Sequence, residues 1–121
     1  MIIDELIELK DYITGKCAVN CELFNRDIGS GELPFVRISP IGTIDFFTKR
    51  ESANSLNYTI SIEVVASRSS EAEALTVFEK LLQNLNSASA KGHEMGESMS
   101  AEYEEERFII RVPYKLRLIS Q

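Results

Sequence analysis

The side chains most able to do chemistry are few and widely spread. The chain holds one histidine, His93, and two cysteines, Cys17 and Cys21. His93 stands between Gly92 and Glu94 in a stretch rich in glycine and serine. A general base needs a positioned, partly desolvated setting, so the expectation is a solvated loop histidine. If residues 17–23 form a strand, Cys17 and Cys21 share a face with Cα atoms about 13 Å apart. A disulfide needs less than about 7 Å, so the expectation is two reduced, buried thiols. A metal site would want more ligands than these, and no cofactor is expected. The acids Glu94, Glu97, Glu102, Glu104, Glu105 and Glu106 lack the alternating Asp/Asn ligands and glycine of a calcium loop. They read as a solvated charge run. Gly29-Ser30-Gly31 is followed by Glu32, Leu33 and Pro34; a phosphate loop would carry a lysine and open a helix there. It reads as a turn.

Two other groups are better suited to contact than to catalysis. Arg107, Arg111, Lys115 and Arg117 fall at odd positions of the last apolar segment and share one face of a strand. A nucleic-acid reader would interleave aromatics with them, yet Phe108 and Tyr114 fall on the opposite face. Either these cations pair across strands, for example with Glu63, or they meet an acidic surface of a neighbouring copy. The second group is Ile44, Phe46, Phe47, Lys49, Arg50 and Glu51. Aromatics beside arginine are enriched at protein interfaces. Adjacent phenylalanines on a strand point to opposite faces, so a single sheet leaves one for something else to cover.

The elements that must position these groups follow from periodicity. Ile2, Ile3, Leu6, Ile7, Leu9 and Ile13 recur at helical spacing over residues 2–14, and Gly15 is placed to cap the helix. Cys17 to Leu23 alternates like a half-buried strand. Residues 25–33 carry turn chemistry, and 34–38 read as a second strand closed by Ser39-Pro40. Residues 43–48 predict a strand leading to a hairpin tip at 49–56. Tyr58, Ile60, Ile62, Val64 and Ala66 then alternate with polar residues in the return strand. Ser70 and Glu73 match a capping box ahead of a helix over 71–86. Residues 86–100 show no period and read as a mobile loop. Residues 101–103 begin a strand, 104–106 a turn, and 107–118 a long last strand. Pro113 implies an edge or a bulge there.

The sum is an α+β fold: an antiparallel sheet with a long β-hairpin and two helices packed on one face. The 121 residues predict one domain spanning 1–121. Thirteen basic against nineteen acidic residues leave a net charge of −6, a poor basis for grasping phosphate backbones. Acids interrupt the first ten residues, so no export signal is expected, and no apolar run approaches the roughly 18 residues of a membrane span.

The segments FVRISPIGTIDFF (35–47), YTISIEVVASRSSEAEALTVFEKLLQNLN (58–86) and RFIIRVPYKLRLI (107–119) resemble, in order and layout, the tail terminator proteins of long-tailed bacteriophages. These are also called tail-completion or minor capsid proteins. The resemblance covers most of the chain and rests on layout, since that family has no catalytic motif. It implies a non-enzymatic virion protein, assembled in the bacterial cytoplasm. Such proteins form a homo-oligomeric ring, typically a hexamer, at the tail–head joint. The ring ends tail-tube polymerisation, contacts the tube protein and the head connector, and lets DNA pass through its hole. No family residue transfers as a named site. The competing expectations are a head-side neck protein, a small-ligand-binding α+β domain with a closed apolar pocket between sheet and helices, and a cysteine-dependent enzyme.

Overall fold

The apolar period of the first segment carries its helix past the glycine expected to end it. In the computed structural model, which describes residues 2–23, 33–48, 54–87 and 93–120, α1 runs Ile2–Cys17 and buries Leu6, Leu9, Ile13 and Cys17. The burial of Cys17 holds the last turn together across the exposed Gly15. Ala18, with φ 51°, takes the left-handed position after the helix, a place more often filled by glycine. Cys17 is therefore helical, and the expected strand over 17–23 shrinks to β1, Cys21–Leu23. Asp4 and Glu5 in the first turn and Lys16 in the last suit the helix dipole.

The sheet is built on one long antiparallel pair. β4 (Asn54–Ser67) and β7 (Arg107–Ser120) are in register over their full length, from Asn54 opposite Ser120 to Ser67 opposite Arg107. On the free side of β4, β2 (Phe35–Ser39) and β3 (Ile44–Thr48) lie end to end, as two halves of one interrupted strand. On the free side of β7, β5 (Glu94–Met95) and β6 (Ser100–Glu104) do the same. β1 covers the outer edge of β2 in parallel. That pair departs from the expected all-antiparallel sheet. Parallel neighbours need a crossover rather than a tight hairpin, which the length of the stretch between β1 and β2 permits.

Alternation sorts the two faces. Tyr58, Ile60, Ile62, Val64 and Ala66 of β4 join Phe108, Ile110, Val112, Tyr114 and Leu116 of β7 under the helices. α2 (Glu71–Ser87) contributes Ala74, Val77, Leu81 and Leu85 to the same core. Its first helical bond runs from the Ala74 N–H to the Ser70 carbonyl at 3.2 Å, so the predicted start holds. The fold class expected from the sequence is the one observed. On the helix-free face a smaller cluster forms from Phe35, Val65 and Ile109, with Leu33 packed against it.

Candidate functional site

The basic strand is built into an ion-pair lattice. On the helix-free face, the register sets Arg37 of β2, Glu63 of β4 and Arg111 of β7 in one row across three strands. Arg37 donates from Nε to Glu63 Oε1 at 2.7 Å. Arg111 donates from Nε to Glu63 Oε2, also at 2.7 Å. Glu63 and Arg37 are 6% and 7% exposed, so the carboxylate is shared between two guanidinium groups in a largely desolvated place. Arg111 reaches further, pairing with Glu102 and, at 2.8 Å, with Glu104 on β6. Lys115 pairs with Glu94 at 2.6 Å, and this partner and its charge hold the Glu94 carboxyl below the usual carboxylate range. The sequence pointed to Glu63 as a cross-strand partner of this stripe, and Arg111 makes that pair. Arg37 was not singled out. Its one signal was a charge placed between the apolar Val36 and Ile38.

The four cations do not form one patch. Arg107 and Arg117 lie ten residues apart on β7, about 33 Å along a strand. Arg107 is half-buried beside the turn at Glu105 and Glu106, whereas Arg117 is exposed near the hairpin. The same register brings the hairpin group to that end. Asp45 lies opposite Asn57, and Asn57 opposite Arg117. Ile44 lies opposite Tyr58, Phe46 opposite Leu56, and Phe47 opposite Ser55. Ile44 is 55% exposed and Ile41, just before it, is 80% exposed. Lys49, Arg50 and Glu51 lie outside the described residues, as does the turn at 29–31.

Ile41 owes its position to a bulge. Between the Ser39–Ser61 and Ile44–Tyr58 pairs, residues 40–43 oppose only residues 59–60. The extra residues preserve the alternation, so Ile38 and Ile44 remain on the same face, while Ile41 is pushed outward. The Thr59 N–H donates to the Thr43 carbonyl at 2.8 Å, which closes the bulge. Gly42 packs directly on the Thr59 backbone: a Cβ there would overlap the Thr59 carbonyl oxygen.

The histidine departs most from expectation. His93 is 7% exposed, not solvated. It accepts a hydrogen bond at Nδ1 from the Arg117 N–H at 2.9 Å, and its Nε2 lies 3.3 Å from Glu5 Oε2. Among the described residues, the stretch expected as a loop over 86–100 instead holds an anchored His93, β5 paired to β7 and the start of β6 at Ser100. Sequence missed this because each partner of the ring lies far away along the chain. The acidic run behaves as expected on the whole: Glu94, Glu97, Glu102 and Glu104 to Glu106 are all exposed. Among the described residues, no group of three or more metal-ligating side chains converges.

The cysteines are chemically quiet. Both are free and buried. Burial raises the pKa of the Cys17 thiol, against a hydrogen bond from Asn84 that lowers it. Burial pushes the Cys21 thiol up to about 12. A nucleophilic cysteine needs the opposite shift. Burial likewise pushes the Tyr114 phenol to about 12. Both groups therefore favour the fold while protonated. Above about pH 9 the unfolded chain releases the thiol proton, and above about 10 the phenol proton, while the folded chain retains both. Stability is expected to fall from about pH 9 to 12, by up to about 1.4 kcal/mol per pH unit for each group. Urea titrations at pH 8, 10 and 11 check this, and Cys21→Ala with Tyr114→Phe should flatten the decline.

One open cleft of about 270 Å³ is lined by Thr59, Glu94, Met95, Gly96, Glu97 and Lys115. It lies on the helix-free face over β5 and contains the Lys115–Glu94 ion pair. It is not an apolar chamber between sheet and helices.

No protein-family model matches the chain, and no curated protein matches it significantly. Among solved structures, the fold is similar to that of a chain in the virion of a native gene transfer agent (GTA) particle. The TM-score is 0.66 at 11% sequence identity, over 98% of this chain and 92% of that one. At that identity the likeness is one of fold.

Proposed function

We propose that this chain is a non-enzymatic structural protein of a phage-like virion. In this reading it forms a ring at the head-proximal end of the tail tube, ends tube polymerisation and joins the tail to the head connector. The observation that carries the proposal is the fold similarity, over nearly the whole length of both chains, to a chain of a gene transfer agent virion. The phage-like order of segments in the sequence supports it independently. The chemistry of the chain is consistent with an assembly role: buried, protonated thiols, a histidine engaged on both nitrogens, and exposed isoleucines where the bulge meets β3.

A ring of identical subunits uses heterologous contacts, one surface meeting a different one on the next copy. The hairpin from Ile44 to Glu51 and the end of β7 at Arg117 are the proposed contact elements, with Arg107, Arg111 and Lys115 further along the same strand. At −6 per copy, six copies carry 6 × −6 = −36. A lumen of that sign lets DNA slide without sticking.

Negative-stain imaging of the purified protein, with light scattering across concentration, tests the reading. The expected result is a ring with a central hole, of about six copies. A strict monomer at high concentration, with no ring in any image, overturns it. Binding of that ring to purified tail tubes rather than to connectors separates a terminator from a head-side neck protein.

A further inference from the structure

His93 joins three elements through one ring. It precedes β5, which pairs through Glu94 opposite Lys115 and Met95 opposite Tyr114, and continues with the Gly96 N–H on the Pro113 carbonyl at 2.8 Å. At the other end of this short ladder the His93 side chain takes over. Nδ1 accepts the Arg117 N–H that a longer β5 would have used. Across the ring, Nε2 faces Glu5 on α1, and the ring stands edge-on to Tyr114 at 6.1 Å.

The two bonds place opposite demands on the imidazole. A main-chain N–H aimed at Nδ1 requires a lone pair there, so the neutral ring carries its proton on Nε2 and donates it to Glu5. A second proton lands on Nδ1 and sets one donor against another. The Glu5 contact survives that change and the Arg117 contact does not. The other titratable or charged groups facing the ring do not reproduce this antagonism. Tyr114 is a phenol set edge-on to the ring, Arg117 is permanently charged, and α2 faces this core with Ala74, Val77, Leu81 and Leu85.

We propose that His93 is a proton-operated latch on this edge of the sheet. Neutral, it ties the β5 segment to β7 and to α1. Protonated, it stays with Glu5 and releases the Arg117 N–H of β7. The inference rests on this geometry and not on the virion reading.

Because the chain has a single histidine, its nitrogen NMR signals need no assignment among competitors. Long-range ¹H–¹⁵N spectra are recorded from about pH 8 to about pH 5, the interval in which imidazoles titrate. Hydrogen exchange at the Arg117 and Ile62 amides is followed in parallel and corrected for intrinsic rates. The expected result is an Nε2–H tautomer at the upper end. Protection at Arg117 then falls about tenfold or more in step with imidazole protonation, while Ile62 in the core stays protected. In His93→Asn, an amide oxygen replaces Nδ1 as acceptor without titrating, and Arg117 protection becomes flat across the range. An Nδ1–H tautomer overturns the proposal. So does Arg117 protection that ignores the titration, or that falls only together with Ile62. If His93→Asn fails to fold, the wild-type curves alone decide.

Discussion

Truncating Glu63 to alanine is expected to remove about 3–5 kcal/mol of stability, the cost of breaking a buried ion pair from one side. A domain of this size has about 5–15 kcal/mol in total, so the variant should sit at the edge of unfolding at 37 °C. The reason is the row Arg37, Glu63, Arg111 across β2, β4 and β7. Both guanidinium groups approach the same carboxylate at 2.7 Å. With Glu63 gone, the Arg37 charge, 7% exposed, is held between strands that β1 and β7 prevent from opening. Arg111 keeps Glu102 and Glu104 beside it, and water reaches that end. The urea midpoint should fall at an unchanged m-value. Glu63→Gln should fall between, keeping the shape and one acceptor while losing the charge. The informative contrast is the apolar replacement of the whole row, Arg37→Met with Glu63→Leu and Arg111→Met. Removing all three charges together is often neutral or stabilising by about 1–4 kcal/mol. If the single truncation costs under about 1 kcal/mol, the row is hydrated and the reading of a desolvated lattice is wrong.

The same row shows what sequence could and could not reveal. The alternation of β4 and β7 was legible because each buries one full face, and a period of two then survives over ten residues. The start of α2 was legible from Ser70. Arg37 was not, because a buried charge is recognised by its partners, and Glu63 lies 26 positions away. The alternation around Cys17 and Cys21 predicts buried thiols, and both are buried, but Cys17 belongs to α1 and not to a strand. A glycine at residue 15 looks like a stop, and only the tertiary burial of Cys17 outweighs its roughly 1 kcal/mol helix penalty. His93 was read from neighbours of low complexity, whereas its environment is made by Glu5 and Arg117, from elements at opposite ends of the chain. Of the contact candidates, the faces of the basic strand were legible from parity. Their pairing to Glu102, Glu104 and Glu94 follows from the register of β6 and β5 on β7, which strand parity alone does not give.

Replacing Gly42 with alanine is expected to separate the hairpin from the core. The added Cβ would overlap the Thr59 carbonyl oxygen and lie 2.7 Å from its carbonyl carbon. The obstacle is main chain, so no rotamer change relieves it, and overpacking of this kind costs about 1–3 kcal/mol or more. The damage should be directional. β4 is held on its other edge by β7 over all 14 of its residues, and β2 is pinned by β1 and by the Arg37–Glu63 bond. The part with least support is β3, which among the described residues pairs with β4 alone. Its ladder begins at the Thr59 N–H to Thr43 carbonyl bond beside the clash. Amide exchange should therefore accelerate at Thr59 and along β3, while Ile62 and Val64 stay protected. This bears on the proposed assembly. If the ring uses Ile44 and the hairpin, Gly42→Ala should lose the oligomer while retaining a folded subunit. Ile44→Ser, at a 55% exposed position, should lose it with almost no change in subunit stability. A Gly42→Ala protein that still forms the same oligomer, with β3 exchanging freely, would place the contact elsewhere on the sheet. A Gly42→Ala protein as stable as the parent, with Thr59 still protected, would mean that the bulge yields, and that the break between β2 and β3 is not held by the close approach of residue 42 to β4.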